Sequence, residues 1–279
     1  MKFDNVVKSL VYEDEVLLTV IDGTVLAKDG IQTHGLSGGA AYAFAESLLF
    51  ASYLSVNLKN EKGAVSLSVK SADGLNVAVS GNALGHIRGF IDYPIESNTH
   101  TSGFFFSGGE TFSVIRDEGF GLPFVGTFAC IPGTAGENFE EYFRVSEQLP
   151  TRFASLVCFS ENNTLVYAGL IALQPLPFAR SETLAALPDT QSLKNILSEV
   201  FSNGLQTTVI NHFSANNDRI EVKSCEYKCN CSKAYLSSVL MSVGKPELKK
   251  IIKEEGFVKI HCHYCNTDYV FDEKDIENL

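Results

Sequence analysis

Cys229-Asn230-Cys231 and Cys262-His263-Tyr264-Cys265 set four thiols in two tight pairs with 30 residues between them. Two such pairs can converge on one tetrahedral ion, each spanning an edge, and Zn²⁺ held by four thiolates is the usual occupant of that pattern. The second pair has the common zinc-knuckle form; the first, with a single intervening residue, is rarer. A purely structural zinc clip is the commonest use of such pairs. A thioredoxin-like dithiol would follow a strand and open a helix, whereas Cys262 to Cys265 sits between two strand-like runs. The remaining use is a reactive centre, because the thiolate is the form of cysteine that oxidants attack. His261 and His263 flank Cys262 as substitute ligands, which four available thiolates make unnecessary.

The segments that must position these thiols are short. Ser232 caps a predicted helix running through Val243 to Gly244, and Pro246 sits at the first position of a second helix that ends before Gly256. Phe257 to Ile260 is a strand feeding Cys262, and Tyr269 to Phe271 is one leaving Cys265. About 55 residues with two short helices bury too little surface to be secure unaided. Structural zinc, which contributes on the order of 10 kcal/mol or more of folding free energy, would carry much of that fold.

The chain before the cysteines has a different character. Glu15 to Ile21 reads as a strand, and Ala40 to Leu58 as a helix apolar almost all round, with Glu46 its single charge. Such a helix belongs at the centre of a domain. Val65, Leu67 and Val69, then Leu75, Val77 and Val79, alternate with polar residues on either side of Asp73-Gly74, a hairpin pattern. Strand-like runs follow at Ile87 to Ile91, Gly103 to Phe106, Thr111 to Ile115 and Phe124 to Ile131. Glu137 to Gln148 reads as a helix stopped by Pro150, and apolar runs Phe153 to Phe159 and Val166 to Leu173 lead to Pro175 and Pro177. Beyond them Leu193, Ile196, Leu197, Val200 and Phe201 fall at helical spacing down one side, stopped by Ser202-Asn203-Gly204. That stripe must pack on something, as an ordinary core helix or as a docked linker that can let go.

The chain therefore reads as α+β: a sheet-rich domain over residues 1–177 with a buried central helix, a helical linker over 178–224, and a small zinc-binding domain over 225–279. With 279 residues, 45% apolar content and 20 Phe, a substantial core is available. The formal charge of −11 argues against unaided binding to nucleic acid or anionic membrane. From Cys225 onward there are eight Lys and nine acidic residues, so the zinc region lacks the basic character of a phosphate-gripping ribbon. The run Gly38 to Val56 contains Glu46, a Gly pair and several Ser, which suits a buried helix better than a membrane span. Seven cysteines behind an N-terminus without a basic-then-apolar signal segment point to a reducing cytoplasm.

Taken together, these residues resemble the redox-regulated 33-kDa heat shock chaperone family of bacteria, holdases for unfolding proteins. The cysteine pattern is the most specific part, with Cys231-Ser232 opening a helix, Ser242-Val243-Gly244-Lys245-Pro246-Glu247-Leu248 between the pairs and Tyr269-Val270-Phe271-Asp272-Glu273-Lys274-Asp275 after them. Supporting matches are Gly85-His86-Ile87-Arg88-Gly89-Phe90-Ile91-Asp92, Tyr142 through Pro150 and Gly169 through Pro177. The chain departs from the family at Pro123-Phe124-Val125-Gly126, where Pro-Tyr-x-Gly is common, and in carrying Cys130, Cys158 and Cys225. Cys130 and Cys158 read as inert thiols in strands, while Cys225 is placed to compete for the metal or scramble a disulfide.

The resemblance implies one zinc per reduced chain on Cys229, Cys231, Cys262 and Cys265. It implies disulfides Cys229–Cys231 and Cys262–Cys265 on oxidation, loss of the metal, unfolding of the zinc domain and linker, and nucleotide-independent capture of unfolding clients. It further implies a monomer when reduced and a homodimer when oxidised. The main rival is an enzyme with a structural zinc site. For that role His34, His86, Arg88, Asp92 and Glu110 are polar groups among strands, but no Ser-His-Asp spacing, phosphate loop or metal-helix motif joins them.

Overall fold

The computed structural model describes residues 5–72, 74–93 and 105–279. Asp73 of the expected hairpin turn, the Gly103-Phe104 half of one strand-like run and the first four residues lie outside them. The chain forms two compact units, Met1–Tyr227 and Lys228–Leu279. Where the sequence suggests three stretches, 1–177, 178–224 and 225–279, the first of these units takes in the helices that follow Pro177.

In the first unit, the hairpin β1 (Val6–Val11) and β2 (Val16–Asp22) is followed by α1 (Thr24–His34) and α2 (Gly38–Val56). Next come β3 (Ala64–Lys70), β4 (Asn76–Asn82), β5 (His86–Asp92), β6 (Phe105–Phe106), β7 (Thr111–Asp117), β8 (Phe124–Ala129) and β9 (Gly133–Thr134). Helix α3 (Ala135–Tyr142) runs into a π-helical turn at Phe143–Glu147, and β10 (Arg152–Phe159) and β11 (Leu165–Pro175) form the second long hairpin. The helices α4 (Ser181–Ala186), α5 (Thr190–Asn203) and α6 (Leu205–Phe213) precede two short strands, β12 (Glu221–Lys223) and β13 (Glu226–Tyr227).

Two sheets result. One is antiparallel in the order β10-β11-β2-β1-β12; the other runs β13-β5-β4-β3-β7-β8, antiparallel except where β13 joins β5. The alternation along β3 and β4 sets their register, with Leu67 opposite Val79 and Val69 opposite Val77, so that one face of the six-stranded sheet is apolar. Helix α2 lies on that face and is covered on its other side by β2, β10 and β11. Every residue of it except Gly38 and Tyr42 is buried, as an apolar helix without a polar side requires. Phe50, Tyr53, Phe139, Phe143 and Phe153 form an aromatic cluster at its C-terminal half, with Phe50 and Phe139 stacked at 4.0 Å.

The five-stranded sheet is buried on both faces, which explains the unbroken apolar run of β11. Its second face is covered by α5 and α6, and Val7, Leu18, Tyr167, Ile171 and Leu173 pack there against Leu193, Leu197 and Val209. Helix α3 starts two residues before the expected Glu137 because Thr134 and Glu137 form a capping box. The α-helical ladder gives way to the π turn after Tyr142, short of the expected end at Gln148.

The second unit comprises α7 (Lys233–Met241), α8 (Lys245–Glu255), the hairpin β14 (Val258–Cys262) and β15 (Thr267–Phe271), and α9 (Glu273–Glu277). Its core is small: Leu236, Leu240, Leu248, Val258, Phe271 and Ile276 are its buried apolar side chains. Ser232 accepts a hydrogen bond from the Tyr235 N–H at the start of α7, and Gly256 closes α8 with φ of 85°, a conformation that side-chain-bearing residues avoid. The short α9, which periodicity alone does not reveal, is fixed by a capping box between Asp272 and Asp275.

Candidate metal centre

Cys229 and Cys231 lie in the irregular stretch before α7, Cys262 is the last residue of β14, and Cys265 sits in the tight turn that leads to β15. The hairpin register pairs Cys262 with Thr267 and turns the chain within four residues, with Asn266 in the left-handed region at φ of 49°. This geometry aims the Tyr264 and Cys265 N–H groups at the Cys262 sulfur. The Ser232 cap at the other end fixes the start of α7 one residue after Cys231.

The four Sγ atoms all lie within 4.8 Å of one another. Cys262 Sγ is 3.1 Å from Cys231 Sγ and 3.8 Å from Cys229 Sγ. Tetrahedral coordination with metal–sulfur bonds near 2.3 Å requires sulfur–sulfur spacings of about 3.8 Å, so this donor set fits a thiolate-bound ion. It can hold a metal. Among the described residues it is also the one cluster of three or more such donors found close enough to do so. Cys262 is buried and the other three are half-buried, so the centre is enclosed but within reach of small solutes.

The four sulfurs differ in their surroundings. Burial opposes ionisation of Cys262, but hydrogen bonds from the Cys231 thiol and the Cys265 N–H outweigh it and bring its pKa down to about 7. Burial and the neighbouring sulfurs push Cys231 and Cys265 up. The Tyr269 hydroxyl stands 3.9 Å from Cys265 Sγ. His261 Nδ1 is 2.8 Å from Asp268 Oδ1, an arrangement that occupies it outside the cysteine cluster, and the His263 ring packs edge-on against it at 5.0 Å. Since Cys262 lies close to both members of the first pair, distance alone singles out neither disulfide pairing.

The remaining cysteines are elsewhere. Cys225 belongs to the core of the first unit; its N–H donates to Asn5 Oδ1 at 2.8 Å, and burial pushes its thiol up to about 12. Cys130 is buried and likewise pushed up to about 12. Cys158 is half-buried in β10. The polar residues of the rival reading have separate local partners. His34 Nε2 is 2.9 Å from Tyr227 Oη, His86 is 3.3 Å from Glu226, Arg88 donates to Ser80, and Asp92 accepts from Asn76. Glu110 accepts from the Ser107 and Gly108 N–H groups. In the stripe, Leu193, Ile196, Leu197 and Val200 are buried, while Phe201 is 56% exposed with its ring 5.4 Å from that of Tyr167.

Residues 4–272 match the model of the family described as Hsp33 protein. The chain belongs to the Hsp33 family. Among Hsp33 relatives, a 33 kDa chaperonin of Bacillus cereus (strain B4264) is 29% identical, with 99% of this chain and 98% of the relative covered. A 33 kDa chaperonin of Bacillus anthracis is 28% identical over the same shares. The solved structure of a 33 kDa chaperonin (heat shock protein 33 homolog) from Thermotoga maritima superposes with a TM-score of 0.78 at 21% identity, covering 99% of this chain and 97% of that one. The α+β architecture with its C-terminal cysteine cluster is thus that of an Hsp33 fold. Membership of this family supports a chaperone role, and no helix among the described residues is long and apolar enough to cross a membrane.

Proposed function

We propose that this chain is a redox-regulated holdase whose C-terminal unit is kept folded by zinc on Cys229, Cys231, Cys262 and Cys265. The observation that carries the reading is a cluster of four sulfurs within 4.8 Å, set in a unit whose core has six buried apolar side chains. Zinc, when bound, supplies folding free energy on the order of 10 kcal/mol or more and keeps the sulfurs as thiolates.

Oxidation then acts on the sulfurs. A cysteine thiolate attacks one oxygen of peroxide, hydroxide leaves, and a sulfenic acid forms. A neighbouring thiolate attacks that sulfur, a second hydroxide leaves, and a disulfide is made at the expense of two electrons. Two peroxides convert the four thiolates into Cys229–Cys231 and Cys262–Cys265, and disulfide sulfurs no longer serve as ligands. The first bridge spans a single residue, which favours ready reduction and a reversible signal. A unit with so small a core loses its fold once the ligands are gone, and the segment 178–224 loses support with it. The apolar face of α5, built from Leu193, Ile196, Leu197, Val200 and Phe201, then opens together with the sheet surface beneath it. Contiguous apolar surface of this kind binds unfolding chains through burial, without sequence specificity or nucleotide.

The oxidised protein acts as a homodimer and the reduced one as a monomer in the cytoplasm, and no catalytic step is involved. The test is a single oxidised sample. Peroxide with mild warming should release one zinc per chain, form the two disulfides and suppress aggregation of a heat-denatured client. Zinc release without client protection refutes the reading. The double replacement Cys262→Ser and Cys265→Ser should abolish stable zinc retention, and a metal content near one per chain in that variant would falsify the ligand assignment.

A further inference from the structure

The turn between β1 and β2 is built in an unusual way. Tyr12, Glu13 and Asp14 have φ of 53°, 56° and 65°, three successive residues in the left-handed region that side-chain-bearing residues avoid. Tight hairpin turns use this region, normally with Gly, Asn or Asp, so three consecutive residues there without a glycine make a turn that its contacts help to hold.

What surrounds the turn is the helical segment after Pro177, at both of its ends. At the start, the Glu15 carboxylate is buried and accepts from the Arg180 N–H at 3.0 Å, from the Arg180 Nε–H and from the Thr183 hydroxyl at 2.5 Å. The Glu15 carbonyl accepts from the Leu176 N–H at 2.8 Å, and Arg180 also reaches Glu13 at 2.7 Å. At the far end, Arg219 pairs with Asp14 at 2.8 Å. Arg180 and Arg219 are the two arginines of the stretch 178–224, and both end on this turn. Among the described residues, every ion pair and side-chain hydrogen bond between 178–220 and the rest of the first unit goes to Glu13, Asp14 or Glu15. Between these two anchors α5 and α6 pack on the sheet through apolar side chains.

We propose that the Glu13-Asp14-Glu15 turn is a latch that keeps α4, α5 and α6 seated on the five-stranded sheet. Apolar contact is non-directional and gives the helices affinity for the sheet, whereas directional charged contacts at both ends fix where they sit. The latch rests on the reading above in one respect, that the apolar face under α5 is the surface clients use. It sets how readily that face opens, independently of the sulfur chemistry.

The test uses the full-length, reduced, zinc-loaded protein and its Glu15→Gln variant, compared by amide hydrogen exchange. Amides of Thr190–Asn203 and Leu205–Phe213 should exchange at least tenfold faster in the variant, with β3 to β5 unchanged and zinc still at one per chain. Unchanged exchange in those two helices overturns the proposal. If β3 to β5 also lose protection, the variant is globally weakened, and Arg180→Gln and Arg219→Gln decide the matter by the same criterion, since both side chains are more than half exposed. Client holding by the wild type after full oxidation is measured in parallel. Its absence would sink the holdase reading, while the exchange data judge the latch separately.

Discussion

Replacing Leu248 with Ala tests whether the second unit folds only around its metal. Leu248 is 1% exposed and is one of six buried apolar side chains in that unit. Truncating a buried Leu to Ala costs about 3 kcal/mol. With so few buried side chains set against the cost of ordering the whole unit, the metal-stripped unit is expected to be unfolded, and metal binding must then supply the folding free energy as well. Destabilisation in that regime passes wholly into the apparent zinc affinity, which should fall about 100-fold for 3 kcal/mol. A unit already folded without metal would behave differently, because the loss would be absorbed by its reserve of stability and the affinity would hardly move. The assay is competition against a chelator of known affinity, under reducing conditions at fixed pH. An affinity within threefold of the wild type refutes the coupling of folding to binding.

Two further outcomes follow from the first unit. Burial pushes the Glu46 carboxyl up to about 7, against a hydrogen bond from Ser155 Oγ that holds one oxygen, while the other has no partner among the described residues. The folded protein therefore binds a proton there that the unfolded chain has released, so stability falls as pH rises from about 4.5 towards 7 and stays lower above it. Titration near 7 in place of 4.5 corresponds to about 3 kcal/mol, so Glu46→Gln should gain up to that amount at pH 8 and little at pH 4.5 in denaturant unfolding; an equal effect at both would refute the assignment. Cys225→Ser should leave the zinc content at one per chain, because that thiol lies in the core of the first unit; a lower content measured by atomic absorption would make it a ligand.

The parts of the molecule legible in the sequence are those where a local pattern matches a local cause. The cysteine spacing, the apolar α2 and the alternation of β3 and β4 each declare themselves within one continuous stretch of fewer than 40 residues. β1 does not, because Lys8 sits in it with its ammonium turned to the Val56 carbonyl at the end of α2, a partner far away in sequence. α1 is obscured by Gly30 in its middle. A Cβ there would come within 3.1 Å of Leu48, Phe44 and Tyr227, so the glycine serves a close approach rather than a helix break. β12 and β13 are two or three residues long and exist only because β1 and β5 offer them an edge. No local pattern marks Glu13 to Glu15 as a contact, because Arg180 and Arg219 reach it only through the fold.

The placement of α2 bears on how the chain is made. Apart from β2, the strands that cover it extend from Ala64 to Pro175, so this almost wholly apolar helix is synthesised more than a hundred residues before its last covering strand. A polypeptide emerging in order must carry that greasy segment only partly covered for much of its translation, at risk of sticking to other nascent chains. A protein of a chaperone family thus begins its own life in the condition it is proposed to guard against in others.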